Sequence, residues 1–223
     1  MHTLKKGAVF ALALLFLPVL GYGQAAAPVP AGASVETIVC IRHGEKYKPE
    51  EMQGHDIGQL NPQGLNRALA LPKVLLGKFG KPQFIFAPNP ADTIASKDGV
   101  PFCYVRPLAT IEPTAIACGM PVDTRFGFKD TQGLESELRQ PAYQNALIFV
   151  AWEHRMLEQF VRSTVVDLGG DGQTVPPWDP TMGYDGIYIV RITTQNGKST
   201  VAFSVDHEGL DNQSKAMPGP ASP

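Results

Sequence analysis

The chain carries little excess charge. Among its 223 residues, 19 Lys and Arg stand against 21 Asp and Glu, a formal net charge of −2. Without a basic field to hold a polyanion, nucleic acid is not expected as a partner. Cysteine is scarce and odd in number, with Cys40, Cys103 and Cys118. That excludes a dense disulfide framework. Cys40 lies in an apolar run and reads as a small core residue. Cys103 and Cys118 flank one strand-to-helix unit, and their spacing leaves a pairing open. The metal-ligand spacings HxH, HExxH and CxxC are missing, as is a GxxxxGK phosphate loop. Neither a dedicated metal nor a cofactor is expected. Beyond the first two dozen residues, no apolar run is long enough to span a bilayer.

Those first residues have their own pattern. Lys5 and Lys6 precede an apolar run from Gly7 to Leu20, and small residues follow, among them Gly21, Gly23 and Ala25. Cationic, apolar, then small is the order of a secretory signal peptide. The run is short for an anchor and contains Pro18, and no Cys near the cleavage point invites a lipid. The expected organisation is a signal peptide over 1–24, a flexible leader over 25–34, one folded domain over 35–211 and a disordered tail over 212–223. The product would be periplasmic or secreted and free of the membrane, with a net charge of about −4.

Within the domain, Glu36-Thr37-Ile38-Val39-Cys40-Ile41 is an apolar, β-branched run. It predicts a buried strand over about 35–41. Asn61 and Pro62 suit the N-cap and first position of a helix, and Gly80 suits its stop; Pro72 inside should kink or split it. A strand is expected over 83–87, loop over 88–100 and a strand over 102–105. A helix then follows from Pro107 to Gly119, bent or shortened by Pro113. Ala146 to Trp152 is a second buried strand, followed by a helix with Met156, Phe160, Val161 and Val165 on one face. A terminal hairpin turns at Gln195-Asn196-Gly197. Alternating strands and helices predict an α/β fold: a three-layer sandwich with a mostly parallel sheet and helices on both faces.

Such sheets bind ligands beyond the carboxyl ends of their strands. Here one buried strand ends in Arg42 and His43, another in Glu153 and His154, and a third is followed by Arg106. Two guanidiniums and two imidazoles at one sheet edge would form a compact anion site. Arginine forks match the paired oxygens of phosphate. A neutral imidazole nitrogen can attack phosphorus and hold the phosphoryl group, while the other cations stabilise the transition state. His55 and His207 read as exposed or structural.

Ile41-Arg42-His43-Gly44-Glu45-Lys46 resembles the RHG signature of the histidine phosphatase superfamily, which includes phosphoglycerate mutase-like enzymes. Leu60-Asn61-Pro62-Gln63-Gly64, Arg106-Pro107-Leu108-Ala109-Thr110 and Val150-Ala151-Trp152-Glu153-His154 are similar to its later motifs, in family order. The resemblance implies a phosphoglycerate mutase-like fold and metal-independent hydrolysis of a small phosphorylated substrate. His43 would be the phosphorylated nucleophile, with Arg42, Arg106 and His154 as the phosphoryl clamp. Glu45 and Lys46 would shape the substrate mouth. The second arginine arrives after an insertion. Arg155 stands where one branch of the family carries an acid; Asp130, Glu135 and Glu137 fall loosely where another branch carries a Glu, and Glu153, adjacent to His154, is the preferred proton donor. A phosphate- or phosphosugar-binding protein without turnover is the alternative. The sequence names neither the substrate nor the oligomeric state.

Overall fold

A computed structural model describes residues 32–96, 98–179 and 182–219. The expected signal peptide and most of the flexible leader lie outside the described residues.

The first strand, β1 (Ser34–Arg42), is the middle strand of a five-stranded sheet. It is followed by α1 (Pro62–Phe79), β2 (Phe84–Phe86), a small hairpin of β3 (Thr93–Ala95) and β4 (Pro101–Cys103), and α2 (Arg106–Cys118). Then come α3 (Thr131–Leu138), β5 (Leu147–Trp152), α4 (His154–Asp167), β6 (Gly186–Gln195) and β7 (Lys198–His207). The sheet order is β2-β5-β1-β6-β7. The first three run parallel, and β6 and β7 add an antiparallel hairpin.

Alternation along β1 divides the core. Val39 and Ile41 pack with Leu71 and Leu75 of α1 and Ile111 and Ala115 of α2. Ile38 and Cys40 face Leu134 of α3 and Leu157, Phe160 and Val161 of α4. Each face of a strand between two helical coverings must be apolar, which is why β1 reads as a continuous hydrophobic run.

Pro72 and Pro113 each sit inside one continuous helix rather than dividing it. Each removes one N–H bond, and the apolar faces buried around it outweigh that loss. Asn61 caps α1 as expected, accepting from the Gly64 N–H. Two expectations are corrected. The segment 88–100 contains β3, which pairs with β4 outside the main sheet, so Arg106 opens a helix and does not end a sheet strand. The described part of the tail packs on α1, where the Asn66 amide donates to the carbonyls of Ser214 and Ala216. Cys40, Cys103 and Cys118 are free thiols.

Candidate active site

The register of β1 against β5 brings the two histidines together. Arg42 pairs with Trp152 across the parallel ladder, and the His43 N–H continues it to the Trp152 carbonyl at 3.1 Å. His154, two residues past Trp152, opens α4 at the same edge. Arg106 reaches that edge from the other face of the sheet, as the first residue of α2, with its N–H on the Gly58 carbonyl at 3.1 Å.

Glycine is required where these pieces meet. A Cβ on Gly64 would fall 2.2 Å from the Glu45 carbonyl oxygen, and one on Gly44 would meet the Gly64 backbone at 3.0 Å. The start of α1 is thereby pressed onto the loop holding His43. Gly58, at φ +70°, lets the following loop lie against the Cys103 carbonyl.

His43 is 2% exposed. Its Nδ1 lies 2.8 Å from the Gly44 carbonyl oxygen. A carbonyl only accepts, so Nδ1 carries the proton and Nε2 keeps its lone pair for the site. Burial holds the imidazole well below its ordinary pKa; Arg106, Arg42 and His154 add to this, and the Gly44 bond opposes it. The ring is therefore a neutral nucleophile at physiological pH.

Unsatisfied donors surround it. Arg42 Nε and Arg106 Nε are buried with no hydrogen-bond partner among the described residues. The His154 nitrogens lie 2.8 Å from Glu153 Oε1 and from Asp179 Oδ2. Buried donors without acceptors are costly, and their convergence marks a place for an anion. The arginine planes are braced by rings: Arg42 lies 4.2 Å from the Tyr184 centroid and Arg106 4.8 Å from that of Tyr104.

Acidic side chains partner the other ends of these cations. Arg42 Nη1 donates to Asp179 at 3.3 Å and to the Gly183 carbonyl at 3.1 Å. Asp56 accepts from Arg106 and from Lys46. Burial alone would raise the Asp56 pKa, but those bonds outweigh it and hold the carboxyl at about 2. A cavity of about 420 Å³ opens over His43, with Arg42, Lys46, Asp56, Arg106, Glu153 and His154 in its polar lining.

Two of the expected site residues have other duties. Glu45 does not line the cavity; its carboxylate forms a bidentate pair with the fully buried Arg67, at 2.9 and 2.7 Å. Glu153 does line the cavity, but its Oε2 caps α4, accepting from the Arg155 and Met156 N–H groups at 2.9 Å. Burial pushes its pKa up, yet the His154 contact and these N–H bonds outweigh that and hold it below the usual range. A carboxyl kept ionised is a poor proton donor. Sequence reasoning missed Asp56 and Asp179, which sit in loops without pattern, and Tyr104, two residues before Arg106. His55 pairs with Asp98, and His207 lies 3.7 Å from Asp185; neither is part of the cavity lining. Among the described residues, no group of three or more His, Cys, Asp or Glu is placed to hold a metal ion.

No family model and no curated protein matches the chain. Solved structures do. A protein assigned as the phosphohistidine phosphatase SixA from Nakamurella multipartitia is 16% identical over 80% of this chain and 98% of that one, with a TM-score of 0.47. Phosphoglycerate mutase from Plasmodium falciparum is 13% identical, covering 77% and 89%, with a TM-score of 0.46. A mycobacterial glucosyl-3-phosphoglycerate phosphatase is 14% identical, covering 78% and 98%, also with a TM-score of 0.46. At these identities the likeness is one of fold, and the chemistry is argued from this chain's own residues.

Proposed function

We propose that the protein is an exported phosphatase that hydrolyses small phosphomonoesters through a phosphohistidine on His43. The observation that carries this reading is the pair of buried, unsatisfied guanidinium donors on Arg42 and Arg106, with His154 beside them, around a neutral imidazole whose Nε2 is free to attack. Phosphoryl oxygens would accept from those donors. His43 Nε2 would displace the leaving oxygen, and water would then release phosphate. Lys46, at the cavity wall, adds a further cation. The signal-like pattern of residues 1–24 supports a periplasmic or secreted location, and among the described residues no helix is long and apolar enough to cross a membrane.

The ionised, helix-capping Glu153 favours one second reading, a phosphate-binding protein without turnover. Incubation with a chromogenic phosphomonoester decides between them. Turnover by the wild type, abolished in His43→Ala, with label trapped on His43 after a quench that avoids acid, is the expected result. Micromolar phosphate binding without turnover would overturn the enzymatic reading.

A further inference from the structure

The cavity has a chemical bias that goes beyond the phosphatase reading and rests on it. Its floor is cationic, but its outer wall is apolar. Ile94 and Phe102 come from the β3–β4 hairpin, Phe128 from the loop before α3 and Met156 from α4. Phe128 meets Tyr104 edge-to-face at 5.4 Å, and its carbonyl accepts from Trp152 Nε1 at 2.8 Å. The wall is therefore anchored to β5. Among the described residues, Ser96 offers the lining's one neutral hydroxyl besides Tyr104, whose ring braces Arg106. A polyhydroxylated leaving group would strand its hydroxyls against this wall, whereas a flat apolar ring would bury against it.

The carboxylates supply the second observation. Glu153 caps α4 with one oxygen and faces His154 with the other. Asp56 gives one oxygen to Arg106 and the other to Lys46. Asp179 gives one to Arg42 and lies against His154 with the other. Every oxygen of the three lies against a guanidinium, an ammonium, an imidazole or a backbone N–H, and none is left over to protonate a departing oxygen. An alkoxide, with a conjugate acid near that of water at about 16, leaves poorly without such help. A phenolate, at about 10, does not need it.

We infer that the preferred substrates are phosphomonoesters of phenolic alcohols, with the ring against Phe102, Phe128 and Met156 and the phosphoryl group among Arg42, Arg106 and His154. The bond from His43 Nε2 to phosphorus forms as the bond from phosphorus to the phenolic oxygen breaks. The electron pair leaves on that oxygen, which takes its proton from solvent. Water then attacks phosphorus, the nitrogen–phosphorus bond breaks, the pair returns to Nε2 and the water proton passes to solvent. The sum is ester plus water giving phenol plus inorganic phosphate.

The test uses the whole chain with a series of ring-substituted phenyl phosphates, benzyl phosphate and glucose 6-phosphate. Expected is a steep fall in kcat/KM as the leaving-group pKa rises, with phenyl phosphate favoured over benzyl phosphate by at least about 100-fold. Phe128→Ala should raise KM for phenyl phosphate about 5-fold and leave the inhibition constant of inorganic phosphate unchanged. A flat dependence on leaving group, or glucose 6-phosphate turned over as well as phenyl phosphate, overturns the inference. If His43 is still labelled in that case, the phosphatase reading stands. No turnover of any ester and no label on His43 overturns both.

Discussion

Thr110 ties the nucleophile loop to the helix that presents the second arginine. Its hydroxyl accepts from the Gly44 N–H at 2.9 Å and donates to the Arg106 carbonyl at 2.8 Å. One fully buried side chain therefore sets the distance between His43 and Arg106. Thr110→Val keeps the volume but leaves a buried N–H without its acceptor. Stability should fall by about 1–3 kcal/mol, and kcat/KM by about 10-fold or more through misplacement of the two groups. Thr110→Ser should restore most of the activity. Equal rates in the wild type and the valine variant would show that the link does not position the site.

Glu45 and Lys46 are adjacent in sequence and opposite in role. Glu45 belongs to a buried cluster in which Arg67 also meets Glu208 at 2.6 Å, Asp185 at 3.3 Å and Asp211 at 2.8 Å. Burial pushes the Glu208 carboxyl up to about 8 despite Arg67, so this acid is protonated at neutral pH and relieves the crowding of negative charge. Glu45→Gln removes one arm of the bidentate pair and should cost about 2 kcal/mol or more, read as a lower denaturant midpoint. Lys46→Ala should leave that midpoint within about 1 kcal/mol and raise KM several-fold, because its ammonium faces the cavity. The opposite pattern would return Glu45 to the substrate mouth.

The tautomer of His43 is open to direct measurement. Burial and the neighbouring cations keep it neutral, and the Gly44 carbonyl fixes the proton on Nδ1. Nitrogen NMR of histidine-labelled protein, assigned with His43→Gln, should show one neutral, Nδ1-protonated ring unchanged from pH 8 down to about pH 5. An ordinary histidine titrates near 6.5 over that range. A midpoint near 6.5 at His43 would remove the argument for a ready nucleophile.

Much of this site was legible because it is locally encoded. The β-branched run of β1, the Asn61-Pro62 helix start and the apolar run of β5 each carry their own signal, and the sheet's carboxyl edge follows from them. Arg106 was found in sequence but misplaced in structure, since nothing in residues 93–103 says that the hairpin pairs with itself and not with the main sheet. The Glu45–Arg67 pair spans 22 residues, and its one clue is a lone cation on the apolar face of α1, beside Ala68 and Leu71. Glu153 has a second duty, capping α4, that was visible in the sequence. It stands one residue before a helix, where a side-chain oxygen has backbone N–H groups to satisfy. Asp56 and Asp179 gave no signal, because loop positions acquire meaning only when the chain returns to the site.

Glu36 offers the last test, away from the chemistry. It lies near the start of β1 on the same face as Ile38 and Cys40, and it is 5% exposed with Oε1 unpartnered among the described residues. Burial raises its carboxyl to about 7, and Arg139 only partly offsets this. The folded protein therefore holds this proton more tightly than the unfolded chain, whose ordinary value is 4.5. The stabilising effect of that proton is fully present below about pH 4.5 and is lost as pH rises through 7. The loss reaches about 2–3 kcal/mol by pH 8. Glu36→Gln cannot ionise and should escape it. Denaturant unfolding should find the variant close to wild type at pH 4 and more stable by about 2 kcal/mol at pH 8. Parallel stability curves across that window would show that Glu36 finds a partner or water that this packing does not provide.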